Sequence, residues 1–117
     1  MKTFTRMAAQ GDFLIMRIDT IPENVEPIAA NEHNQIVVAH SETGHNHVLL
    51  ADRVSAYKPA GVKEVDLYEM FLSVEAPTEI NHLRSFDTHE TLLVPPGNYT
   101  VRRQREYVAE GFRRAQD

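Results

Sequence analysis

"NQIVVAHSETGHNHVLLAD", residues 34–52, is the stretch whose reading decides the fold. A β-branched run, 34–42, and a second apolar run, 44–52, meet around a Thr-Gly step, which is the pattern of a β-hairpin. Strand side chains alternate between faces, so parity decides which residues meet. A two-residue Thr43-Gly44 turn opposes Glu42 to His45, His40 to His47 and Val38 to Leu49. On that reading His40, His45 and His47 share one face with Glu42, at the end of an apolar patch formed by Ile36, Val38 and Leu49. Ser41 falls on the other face, which rules out a Ser–His nucleophile pair with His40 or His47. A three-residue loop or a bulge breaks this parity.

Outward from the hairpin the same style continues. "DFLIMRID" (12–19) reads as a strand that ends at "TIPENVEP", where two prolines stop the ladder. "VDLYEMFLSV" (65–74) alternates, "EINHL" (79–83) is short, and "ETLLV" (90–94) runs into the turn signal "PPGN". "NYTVRRQREYV" (98–108) is the longest strand pattern. The expectation is an all-β domain, a sandwich or barrel of about seven or eight short, mostly antiparallel strands. Residues 1–117 read as one such domain, with a core over about 10–108 and a short tail over 109–117. Sheets of short strands must close, cover or pair their edges, so association with protein partners or with itself through strand edges is expected.

Composition narrows the chemistry. With no cysteine in 117 residues, disulfides, thiol nucleophiles and zinc–thiolate sites are excluded. The longest apolar run, "FLIM", is far short of a membrane-spanning helix, and no secretory signal is legible at the N-terminus. A cytoplasmic site of synthesis is therefore expected. The net charge of −5 argues against a general duplex-binding surface. Five of the twelve Lys and Arg residues fall in the last sixteen positions, either as a solvated strand and tail or as a local surface for phosphate or an acidic partner.

The histidines carry the one candidate site. Neutral imidazoles on neighbouring strand positions suit zinc or another divalent metal, with His45 and His47 as first ligands and His40, His89 or Glu42 as a third. Three protein ligands and an open position support Lewis-acid or water-activating chemistry. A hydrogen-bonded polar cluster, or direct ligand contact without metal, are the competing readings. A cupin places His-x-His on a barrel strand in this way, but no glutamate follows His47 at the cupin spacing, so only a cupin-like barrel is compatible. In "HLRSFDTHE", Asp87 and His89 share a parity, although Asp87-Thr88 also suits an Asx turn.

In the strand 98–108, Tyr99, Val101, Arg103, Arg105 and Tyr107 share one face. Neither face is cleanly apolar, which marks Tyr99, Arg103, Arg105 and Tyr107 as a candidate interface or ligand wall, or else an amphipathic edge. No Gly-rich phosphate loop, nucleophile elbow or His-Glu-x-x-His helix is present, and no catalytic set is assigned.

Taken together, Gln10, Gly11 and Asp12, then Thr43, Gly44, His45 and His47, then His89, and finally Pro95, Gly97, Tyr99, Gln104, Arg105, Glu106 and Tyr107 form a distinctive series. In it the chain resembles a small uncharacterised family of bacterial and phage proteins with a Thr-Gly-His-x-His centre and a Pro-x-Gly-x-Tyr…Gln-Arg-Glu-Tyr end. Phe86 stands where that family often has a further histidine, which weakens a four-ligand site. The resemblance implies a phage or mobile-element setting and brings no activity. The leading expectation is a non-enzymatic structural or interaction protein, such as a capsid-associated or other virion accessory component. The alternatives are a cupin-like metal-binding barrel with metal-dependent activity, and a regulatory small-ligand binder.

Overall fold

The computed structural model describes residues 2–10, 13–40, 46–63, 68–82 and 91–103, with His40 and His82 given as backbone positions. All regular elements within them are strands: β1 (Lys2–Thr3), β2 (Met7–Gln10), β3 (Phe13–Ile18), β4 (Val25–Ile28), β5 (Gln35–His40), β6 (Asn46–Leu50), β7 (Val54–Pro59), β8 (Glu69–Val74), β9 (Thr78–His82), β10 (Leu92–Val94) and β11 (Gly97–Arg103). They form two sheets, ordered β1-β10-β9-β6-β5 and β2-β3-β11-β8-β7-β4. Every described pair is antiparallel except β1 with β10.

The chain is all-β and sandwich-like, as the short alternating runs predict, but it has more strands than the seven or eight expected. The excess comes from β1, β2, β4 and β7. Strand β4 is instructive, because it contains Pro27 inside the stretch expected to end pairing. Ala60 N donates to Asn24 O at 3.1 Å, so alternation turns the even positions of β4 toward β7 and the odd ones outward. Pro27 therefore lacks only an N–H that would have faced away from the sheet, and the ladder survives.

One hydrophobic cluster fills the space between the sheets. Ile15, Met70, Leu72, Tyr99 and Val101 come from one sheet; Ile36, Val38, Leu49, Ile80 and Leu92 come from the other. The core also begins earlier than expected, since Ala8 of β2 belongs to it and Phe4 packs against it. On β11 the two parities are both absorbed. Tyr99 and Val101 face the core, while Thr100 and Arg102 donate to Glu69 Oε2 at 2.9 and 3.1 Å across β8. Neighbouring side chains thus satisfy a strand that reads as too polar for the centre of a sheet.

A polar clasp fixes one end of this core. Tyr99 is 0% exposed, donates its hydroxyl to Pro95 O at 2.6 Å and accepts from Arg17 Nη2 at 3.0 Å. Arg17 also donates to Thr5 O and Pro96 O, and its guanidinium lies 5.1 Å from the Tyr99 ring centroid. Gly97, at φ +149°, leaves the space this guanidinium occupies; a Cβ there would collide with it.

Candidate functional site

The opposite end of the sandwich holds the histidine singled out by sequence. His47 lies in the middle of three consecutive strands, opposite Ala39 of β5 and His82 of β9. It is 1% exposed. Its Nδ1 lies 2.9 Å from Gln10 Oε1, and its ring meets Phe13 edge to face at 5.2 Å between centroids. Gln10 comes from the other sheet and donates Nε2 to Ile80 O at 3.3 Å. That second bond fixes the amide: its NH2 faces the carbonyl and its oxygen faces the imidazole. The proton of neutral His47 is therefore on Nδ1, and the ring's lone pair is on Nε2.

The hairpin register departs from the expectation. Pairs run Gln35–Leu50, Ile36–Leu49 and Val37–Val48, then shift to Ala39–His47 and His40–Asn46. His40 stands opposite Asn46 instead of His47, one step off the register of a two-residue turn, and a β-bulge at Val38 inserts one further residue, so that Leu49 stands opposite Ile36 and not Val38. Both Val38 and Ala39 are buried, so the extra residue is accommodated within the core. His45, Glu42 and His89 lie outside the described residues. Among the described residues no group of three or more His, Cys, Asp or Glu side chains is arranged to hold a metal ion. Sequence reasoning missed Gln10 and Phe13 as partners of His47; burial alternates along "MAAQ" but polarity does not, so nothing in those residues marks Gln10 as inward-facing.

The expected interface on β11 is distributed differently. Tyr99 belongs to the buried clasp and presents nothing to a partner. Arg103 reaches across the sandwich and donates Nε to Val38 O at 2.9 Å and Nη2 to Val37 O at 3.3 Å, on the bulged strand β5. Arg105 and Tyr107 lie outside the described residues.

These bonds bear on the sheet edges, whose unpaired backbone groups are the places where a β protein recruits other chains. Edge β1 is two residues long and begins with Lys2. Edge β4 carries Pro27 and a Glu26–Lys58 ion pair of 2.7 Å. Along β5, Gln35 N donates to Asn31 Oδ1 and Asn31 N donates to Gln35 O, both at 2.9 Å, and Arg103 donates to the Val37 and Val38 carbonyls. Edge β2, "MAAQ", has no proline, charge or capping group among the described residues, and its Met7 is 52% exposed.

No curated protein and no solved structure matches this chain. A family model does match, over residues 9–104, from within β2 to just beyond β11. That span takes in β3 to β11 with Gln10, His47, Arg17 and Tyr99, while β1 and the first half of β2 precede it, and the chain belongs to the family described as domain of unknown function DUF8820.

Proposed function

We propose that this protein is a non-enzymatic interaction module, an accessory component of a phage or mobile-element assembly such as a virion, which docks by strand addition at β2. One observation carries the reading: among the described residues three of the four sheet edges are shielded, and nothing shields the fourth. The exposed β2 edge offers backbone donors and acceptors for affinity and Met7 for side-chain contact, the usual division of labour in β-augmentation. The resemblance of the sequence motifs to bacterial and phage proteins supplies the setting. The test is to band particles released by the encoding element on a density gradient and probe the fractions for this chain. It is expected to co-migrate with particles at fixed stoichiometry, with the copy number reduced by Met7→Lys. A chain found wholly in the free fraction, with particles complete, overturns the proposal.

A second reading is favoured by the Gln10–His47 bond. An imidazole whose Nδ1–H is already donated presents Nε2 in the form that binds a divalent metal, and such outer partners typically accompany metal-ligating histidines. In this reading zinc or a similar ion is held at the His47 end, with His40, His45, His89 or Glu42 as further ligands. Metal content of protein purified without a histidine tag, compared with His47→Ala, tests it. Stoichiometric metal lost in the variant and below about pH 6 is expected. Substoichiometric metal in both proteins removes this reading.

A further inference from the structure

We infer that the occupant of the β2 edge is a second copy of this chain, paired antiparallel about a two-fold axis through Ala8. The inference rests on β2 being the docking edge and names its partner.

Arg17 N donates to Arg6 O at 2.7 Å, and the β2–β3 pairs continue as Met7–Met16, Ala8–Ile15, Ala9–Leu14 and Gln10–Phe13. In an antiparallel ladder the hydrogen-bonded pairs alternate, so Ala8 and Gln10 bond toward β3. Met7 and Ala9 then direct their N–H and C=O groups out of the sheet. Two outward residues separated by one inward residue form a self-complementary set. With the axis at Ala8, Met7 of each copy faces Ala9 of the other, and both outward pairs exchange N–H···O bonds in both directions.

Side chains fit the same register. Met7 is a large exposed apolar residue and Ala9 is small, and both lie on the outer face. Each Met7 therefore packs over an Ala9 of the second copy, so that the symmetry repeats one large-to-small contact twice. At the axis two Ala8 residues meet in a non-hydrogen-bonded pair, the closer of the two antiparallel spacings, which small side chains permit.

Met7 also heads a continuous cross-sheet row on that face, Met7–Met16–Thr100–Phe71–Tyr57–Pro27. Pairing at β2 joins the two rows end to end and the two six-stranded sheets into one.

Charge selects the same surface. The chain carries a net charge of −5, so two copies repel over most orientations, yet Met7–Gln10 has no ionisable side chain. In the proposed register Arg6 falls opposite Gln10 of the second copy, and like charges are not brought face to face. The contact is isologous, so it closes at two copies and does not propagate through β2. A four-residue edge makes a small interface, and a weak, reversible dimer is the expected outcome.

The test is sedimentation equilibrium of the full chain from about 10 to 300 μM, a range chosen for weak association. A reversible monomer–dimer equilibrium is expected. Met7→Lys places a charge on the edge and should shift the midpoint at least about tenfold toward monomer with an unchanged melting curve. The native chain has no cysteine, so Ala8→Cys reads the register directly: mild oxidation should yield a cross-linked dimer, whereas Thr3→Cys on edge β1 should not. A monomer throughout the range, or a dimer indifferent to Met7→Lys, overturns the inference. Monomeric protein whose particle association still falls with Met7→Lys overturns the second copy while leaving the docking edge intact. A β2 dimer absent from every particle does the reverse.

Discussion

Strands β2 and β4 bound the same six-stranded sheet on opposite sides, and the chain treats them differently. Both are four residues long and both turn their odd-numbered amides outward. On β4 one of those positions is Pro27, which has no N–H to offer, and Glu26 beside it is tied to Lys58. On β2 the equivalent outward positions are Met7 and Ala9, which offer complete sets of backbone groups beneath uncharged side chains. The lesson is that edge protection is specific to an amide's direction. A proline at an outward position shields the edge at little cost to the ladder, whereas a proline one residue away would break it.

The difference between the two edges is most sharply tested on β2 itself. Ala8→Pro removes an inward N–H and drives a ring toward the core, and a loss of about 3 kcal/mol or more is expected. Ala9→Pro removes only an outward N–H and should cost about 1 kcal/mol or less, while converting β2 into an edge like β4. Urea denaturation of the two variants is the measurement. Equal losses would show that the amide directions assigned to β2 are wrong, and the proposed dimer register would fall with them.

The next effect concerns β5, where a shield is supplied from the other sheet. Arg103→Met should cost about 1–3 kcal/mol, because the Val37 and Val38 carbonyls lose their charged donor in a partly buried position. It should also create a second sticky edge. In sedimentation, Arg103→Met combined with Met7→Lys is expected to associate again, through β5. A double variant that stays monomeric would mean that β5 is protected by its bulge alone.

The sequence made some of this legible and hid the rest for physical reasons. All-β architecture and the β5–β6 hairpin follow from alternation and the Thr-Gly step. The bulge does not, because Val37, Val38 and Ala39 are all apolar and either register buries apolar side chains. The His40–His47 pairing is lost already on the turn side of the bulge, where His40 meets Asn46, and the bulge then moves Leu49 opposite Ile36, while His47 itself is buried. Tyr99 and Arg103 read as surface residues because their partners are distant in the chain. Tyr99 needs Arg17 from β3, and Arg103 needs carbonyls of β5. Gln10 is the same case, an amide whose worth depends on His47 and Ile80 in the opposite sheet. Periodicity reports which face a residue occupies, while these roles depend on what the opposite sheet places there.

The smallest expected effect separates the two edges by pH. The Lys58 ammonium, through its hydrogen bond and its charge, holds the Glu26 carboxyl below the ordinary carboxylate range. A depressed folded-state pKa means that this pair stabilises the fold above the unfolded value near 4.5, and that the contribution is lost as pH falls through the lower, folded value. Because Glu26 is solvent-exposed the gain is slight, and the sensitive observable is its titration rather than global stability. NMR titration of the Glu26 carboxyl should give a midpoint below that of a free glutamate, returned to the ordinary range by Lys58→Met. Strand β2 has no titrating side chain, so dimerisation there should not follow the Glu26 midpoint, whereas any association through β4 should strengthen only as Glu26 is protonated. A β2 dimer whose dissociation constant tracked the Glu26 titration would mean that the two edges are not independent, and the distinction between a shielded and an open side of this sheet would have to be abandoned.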